Sequence, residues 1–461
     1  MRKKTLFLLH VFLVNAIYAQ TDWANWGNTQ QCIPQKIFYP TTQAEVQIII
    51  QEATDNHVKF KAVGSSHSWS DLVCTDGYLI NTDYLNRIIW IDSEKHQVKV
   101  EAGIKIRDLI EFLAAHNLAL SNQGFITDQS IAGAIATATH GTGKGAYALS
   151  DYIMGMEILD AQGILHEISE QSHPEWLPLT RVALGALGFV YSVTIQCEPL
   201  FNLVHKRTLM NLSTVMNMYQ ELYERNDFFM FMMQPQSSSA LVFFWNRTNR
   251  PSNTGFLHYF SNDCVFNRFL NYFTICALSR FTEASPFCIS TGFRALQMNE
   301  HVEHSYISLS PIKTPLSVNW YIEQEIAINF DDFPQALADL KKIYEKYDLN
   351  AHNLISIITC RFGPTSQCSY LNPAYGRKTA YITINIMNFF KDYELFFQDC
   401  EKAMIPYNGR SHWGKFNFLN QEKIAQVYDR NHLTAFNNLR KFLDPHGLFE
   451  NDFVQRCFGH I

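Results

Sequence analysis

Between residues 58 and 63 the chain alternates apolar and polar positions as VKFKAV and breaks at Gly64, and it alternates again as HQVKVEAG up to Gly103. A period of two over such runs predicts half-buried strands ended by the glycines that follow. Ahead of the first, PTTQAEVQIIIQEATDNHVKF places apolar residues at helical spacing after Thr42, whose hydroxyl suits an N-cap. RDLIEFLAAHNLAL, between Gly103 and Gly124, has helical period too. MGMEILDAQGILHEI predicts a hairpin turning at Asp160 and Gly163, and ALGALGFVYSVTIQCEP closes the region with two glycines and a β-branched strand. The pattern is α+β.

Around Pro199 the character changes. Residues 201–400 are rich in Phe, Met and Tyr, with strands such as SALVFFW and TAYITINIM, and predict a second domain. The stretch 265–290, VFNRFLNYFTICALSRFTEASPFCIS, is apolar enough to suggest membrane contact, but Asn267, Arg268, Asn271, Arg280 and Glu283 interrupt it. A packed helix fits better, since a span needs about 20 nearly unbroken apolar residues.

Composition sharpens this picture. With 461 residues, 47% of them hydrophobic, the chain exceeds what one core usually serves. A net charge of -6 provides no field for gathering nucleic acid, so the expected partner is a small molecule. At the start, Arg2, Lys3 and Lys4 precede a short apolar run ending near Ala16 and Ala19, the form of a secretory signal peptide over residues 1–19. A membrane anchor is the alternative, but the run is short and Asn15 interrupts its end. A periplasmic or secreted protein with no stable membrane span is therefore expected. Ten cysteines form an even set for such a compartment without any CxxC pattern, and their pairing stays open.

Four stretches carry chemistry. FKAVGSSHSWSD, residues 60–71, passes from strand into a loop of small residues. Glycine followed by serines lets backbone N–H groups converge on an anion, with hydroxyls as further donors, so this reads as a phosphate cradle that holds one imidazole, His67. NQGFITDQSIAGAIATATHGTGKG, residues 122–145, offers a glycine-rich backbone that a ligand can approach closely. It is no P-loop, because Gly145 follows Lys144, and the chain has no GxGxxG, which removes kinase and nicotinamide readings. ITCRFGP puts Arg361 on an apolar strand, and GRSHWGKFN carries His412 and Lys415. Taken singly, each has a structural explanation: Arg361 as a buried ion-pair partner, Lys415 on a solvated face, His140 as a satisfied core histidine. No second His or Cys stands at metal-ligand spacing from His67, so no metal is expected.

The set in this order resembles the FAD-linked oxidases of the vanillyl-alcohol-oxidase fold, with its PCMH-type FAD-binding domain, and within them the aldonolactone and alditol oxidase branch. The likeness runs from NWGN at residue 25 to LDPHGLFEN at 443–451 and is closest in VGSSHS, SIAGAIATATHGTG, LGALGFV, LNPAYGR and HWGK. It implies an FAD-binding domain over 20–200, a substrate-binding cap over 201–410, and a segment 411–461 that returns to the FAD and active site.

By the same resemblance His67 bonds covalently to the flavin 8α-methyl, a step for which a neutral imidazole is a competent nucleophile. Lys61, Ala62, Val63, Gly64, Ser65, Ser66, Ser68, Ser130, Gly133, Thr137, Ala138, Thr139, His140 and Val190 are implied to line the FAD. Gly124 would stand beside the reactive flavin edge, where a missing methyl leaves room for molecular oxygen. Arg361 and Lys415 match the cationic pair that stabilises a substrate oxygen during hydride transfer. Glu323, Thr359, Asn385 and His412 join them as substrate-binding positions, with His412 expected to support Lys415. The implied reaction takes a hydride from a CH–OH carbon of an aldonolactone such as D-arabinono-1,4-lactone or L-gulono-1,4-lactone, or of an alditol, and yields hydrogen peroxide. The alternatives are a dehydrogenase using a quinone or cytochrome, or a non-catalytic flavin carrier. The chain also departs from the pattern: Thr359 replaces the glutamate common two residues before the arginine, and Phe125, Thr383 and Asn385 replace polar residues of the alditol enzyme. Losing a carboxylate changes which polyol or lactone fits.

Overall fold

The computed structural model describes residues 22–253, 290–294, 296–310, 321–347, 356–387 and 391–459. The expected leader and nearly all of the apolar 265–290 stretch lie outside the described residues.

Thr42 caps the helix Gln43–Asp55 in a full capping box with Glu45, and the helix buries Val46, Ile49, Ile50 and Ala53. It is followed by the strand Phe60–Val63, which lies parallel to Tyr78–Asn81, itself parallel to Lys36–Phe38. A five-stranded antiparallel sheet stands beside this small one, in the order Leu165–Ser169, Ile153–Leu159, Phe189–Gln196, Gln97–Glu101, Ile88–Asp92. Its expected hairpin forms because the Asp160 carboxylate accepts from the N–H groups of Gln162 and Ile164 while Gly163 takes φ +74°. The helix read over RDLIEFLAAHNLAL is shorter than its pattern, spanning Ile106–Ala115. Asn117 enters the left-handed region at φ +57°, and Leu118–Ala119 turns into a short strand against Glu198–Pro199.

From residue 202 the chain builds an eight-stranded antiparallel sheet, ordered Met298–His304, Asn202–Asn211, Ser239–Thr248, Phe228–Met233, Ser356–Gly363, Thr379–Met387, Tyr321–Asn329, Arg410–Ser411. Alternation decides its two faces. Ile358, Cys360, Phe362, Ile382 and Ile384 pack with the helices Leu212–Arg225, Phe333–Lys346 and Tyr393–Ala403 in one apolar cluster. The intervening positions Thr359, Arg361 and Asn385 turn to the opposite face and line a cleft.

After Ser411 the chain returns to the first half. Phe60 N–H donates to the Leu448 carbonyl, and the Asn451 amide donates to the carbonyls of Asp71, Leu72 and Cys74, which clamps the loop beyond His67. Among the described residues, no helix is long and apolar enough to cross a membrane.

Candidate active site

Two adjoining clefts meet at the loop after Val63. Including their open mouths they enclose about 1010 and 1280 Å³, the scale of a cofactor and a substrate side by side. His67, Ser68, Gln129 and Thr137 line both, so the clefts are continuous and the imidazole stands at their junction.

The first cleft is walled by backbone and small side chains: Ala62 to Ser68 on one side, Ser130, Gly133 and Thr137 on another, Val190 on a third. Gly64 has to be glycine, since a Cβ there would sit 1.8 Å from Ser130 Oγ. The serines of the loop divide their roles, which corrects the reading of all of them as donors to a ligand. Ser65 Oγ donates to the Asp128 carbonyl and receives a hydrogen bond from Lys105 Nζ, so its hydroxyl shapes the loop. Lys61 lines the cleft, while its fully buried amine donates to the carbonyls of Gly185 and Phe449. Burial pulls that amine down to about 8, against the attraction of Asp444, Asp71 and Glu450. Ala138 does not line either cleft. At φ +59° its methyl turns into the apolar cluster of Leu72, Leu184 and Trp413, and only its neighbours Thr137 and Thr139 reach a cleft.

His67 lies 5.1 Å from the Trp26 ring, centroid to centroid, and its Nδ1 is buried with no hydrogen-bond partner among the described residues. Burial, then the cations Lys415 and Lys105, bring its imidazole down to about 4. The ring is therefore neutral at ordinary pH, with a lone pair available.

The second cleft is floored by the large sheet. Cross-strand register sets Glu325, Thr383 and Thr359 in one row and Glu323 opposite Asn385 in the next. The Glu325 carboxylate receives hydrogen bonds from Thr383 Oγ1 at 2.6 Å and Arg361 Nη1 at 3.3 Å, and its other oxygen lies 2.7 Å from His140 Nε2. Burial opposes charge on Glu325, but His140, His412 and Arg361 outweigh it and hold the carboxyl well below the usual range. His140 Nδ1 faces the Gly141 carbonyl at 2.8 Å, so both ring nitrogens meet acceptors. Arg361 also lies over the Phe125 ring at 4.6 Å. Lys415 Nζ pairs with the Glu323 carboxylate and sits 4.5 Å above the Trp69 ring. His412 helps Lys415 indirectly. Its Nδ1 accepts the Gly414 N–H and its carbonyl accepts the Lys415 N–H, which fixes the turn, while burial pulls its ring down to about 3. Gly124, Thr139 and His140 close the cleft near His67.

Residues 193–457 match the D-arabinono-1,4-lactone oxidase family profile, and residues 34–169 match that of an FAD binding domain. The chain belongs to the D-arabinono-1,4-lactone oxidase family. It is 32% identical over 439 residues to an L-gulono-1,4-lactone dehydrogenase of Mycobacterium tuberculosis, covering 95% of this chain and 99% of that protein. It is 29% identical over 448 residues to the L-gulonolactone oxidase of Mus musculus, covering 96% and 99%. In fold it is similar to cholesterol oxidase from Brevibacterium sterolicum, with TM-score 0.76 and 16% identity over 95% of this chain and 97% of the other. A xylooligosaccharide oxidase from Myceliophthora thermophila gives 0.67 and 14% over 95% and 94%.

This member of the D-arabinono-1,4-lactone oxidase family binds FAD, and the first cleft fits that group on its own evidence. A glycine at van der Waals limit, an unpartnered buried imidazole nitrogen and a small-residue backbone are what a close-fitting flavin dinucleotide needs. Glu325, Trp69 and Tyr381, whose ring stacks on His140 at 3.6 Å between centroids, were not singled out by sequence reasoning. For Glu325 a signal existed: in YIEQEIAIN two carboxylates stand two residues apart on an apolar strand, which puts both on one face. The two carboxylates also modify the expected loss at Thr359, because Tyr321–Asn329, two strands away in the sheet, supplies both to the same cleft.

Proposed function

We propose that this protein is an exported oxidase that removes a hydride from a CH–OH carbon of an aldonolactone, with free alditols as the second substrate class. In this reading FAD is held covalently through His67, molecular oxygen accepts the electrons, and hydrogen peroxide is released. The observation that carries it is the position of His67, a neutral imidazole at the junction of a small-residue cleft and a cleft floored by paired cations and carboxylates.

Bound FAD supplies a two-electron hydride acceptor. The protein's own groups do the rest. Arg361 and Lys415 donate to the substrate oxygen as negative charge builds on it, and fixed donors in a water-poor cleft are stronger there than in solution. The Lys415–Glu323 pair offers a donor and an acceptor side by side, which suits the neighbouring hydroxyls of a lactone ring. Glu325 positions Arg361 and His140 rather than meeting solvent. Gly124 bears on the acceptor: a Cβ there would come within 3.0 Å of Thr139 Cγ2, so an added methyl would crowd this wall of the second cleft. The basic, then apolar start of the chain supports export.

The name of the mycobacterial relative favours a second reading, in which another acceptor replaces oxygen. One experiment separates them. Purified protein is mixed anaerobically with lactones and alditols in turn while the flavin absorbance is followed, and air is then admitted. Bleaching by a lactone with rapid recovery in air is expected. Slow recovery would establish the dehydrogenase reading, and an unbleached flavin with every sugar would overturn the substrate class.

A further inference from the structure

The strands Asn202–Asn211 and Met298–His304 set His205 directly opposite His301, and Glu303 follows His301 on the same face. The donor atoms of all three lie within 4.8 Å of one another. They form a histidine and carboxylate cluster separate from the cleft residues and unused by the chemistry above.

His301 Nδ1 lies 3.4 Å from the Asn299 carbonyl. Its Nε2 faces Glu303 Oε1 at 3.2 Å. His205 is buried, its ring stacked on Trp245 at 4.7 Å and its Nδ1 3.4 Å from Ser308 Oγ. Its Nε2 is buried with no hydrogen-bond partner among the described residues. A buried imidazole nitrogen left in this way has a desolvation penalty that a ligand would remove.

We propose that His205, His301 and Glu303 bind one divalent transition cation, zinc foremost. Two imidazoles and a carboxylate are donors that zinc accepts, at about 2.0–2.2 Å each, which puts tetrahedral ligands ~3.3 Å apart. His301 and Glu303 already meet that spacing, and His205 closes the set by a side-chain shift of at most about 1.5 Å. Ser308 and the Asn299 carbonyl hold the outer ring nitrogens, as the groups behind metal ligands commonly do. The ion would tie the edge strand of the large sheet to its neighbour. The turn that follows leads to Ser310, whose hydroxyl lies 2.6 Å from Gln123 Oε1 and 2.9 Å from the Gly124 carbonyl, so the tie is continuous with the wall of the second cleft.

The test uses the flavin-loaded protein without a histidine tag, freed of metal by a chelator and titrated with zinc chloride. Calorimetry and elemental analysis should give one zinc per chain, and the melting temperature should rise with each tenfold step in free zinc. Glu303→Gln, nearly the same shape, should weaken zinc at least tenfold with the flavin spectrum unchanged, and His205→Ala should do the same. No uptake by the parent protein, or undiminished uptake by the Glu303→Gln variant, overturns the proposal. The cluster would then be an imidazolium–carboxylate pair, with Glu303 answered by a proton on His301 and by the charge of nearby Arg207.

Discussion

The two clefts that meet at His67 are built in opposite ways. The first is made by stretches of local sequence, Lys61 to Ser68 and the small residues between Ser130 and Thr137, whose backbone and missing side chains form the surface. The second is made by single side chains from separate strands, brought into one layer by register. A wall of backbone recognises a constant ligand, whereas a floor of side chains can be altered one position at a time. Changes to the first should therefore act on cofactor retention, and changes to the second on substrate and rate.

The sharpest break of that division is His67→Ala. Flavin fluorescence that survives denaturation should disappear completely, and a signal at the parent level would assign the bond to another residue. Next is Glu325→Gln, which leaves His140 and Arg361 without their shared charge in a buried place. Removing one partner of such a pair costs about 3 kcal/mol or more, to be read from the denaturant midpoint at unchanged slope. Lys415→Ala should slow flavin reduction by about 2 kcal/mol of transition-state stabilisation, roughly 30-fold, with FAD still bound. An unchanged reduction rate would take Lys415 out of the chemistry. Gly124→Ala should slow reoxidation by oxygen about tenfold, ~1.4 kcal/mol, while leaving reduction by substrate nearly as fast. Stopped-flow measurement of the two half-reactions distinguishes these.

The most gradual effect is a pH slope. His67 and His412 are held neutral in the fold, down to about 4 and about 3, whereas an unfolded histidine titrates near 6.5. Below that value the unfolded chain binds more protons, so stability falls as the pH drops from about 6.5 toward 4 and 3. His412→Asn keeps an acceptor for the Gly414 N–H and should remove its share of the slope, at most about 1.4 kcal/mol per pH unit. Melting curves between pH 7 and 4.5 would show a flatter decline.

The same contrast explains what could be read before the fold was known. The strand ending at Gly64, the Thr42 cap and the hairpin at Asp160 and Gly163 were legible because each depends on neighbours within a few residues. Asn117 cut short a helix whose apolar period ran on, since a left-handed residue outweighs the pattern beyond it. Ala138 sits within a motif that reads as ligand-lining throughout, yet its own backbone angle sends the methyl into the core.

By itself the sequence determined the α+β pattern, the small-residue loop around His67 and the presence of Arg361 and Lys415, all of which follow from local steric and hydrogen-bonding preferences. Only the tertiary structure decided that Glu323 pairs with Lys415, that Glu325 gathers His140, Thr383 and Arg361, and that His205 faces His301. Those contacts depend on which strands lie side by side and in what register, and a shift of one residue would turn the strand-borne side chains among them to the other face.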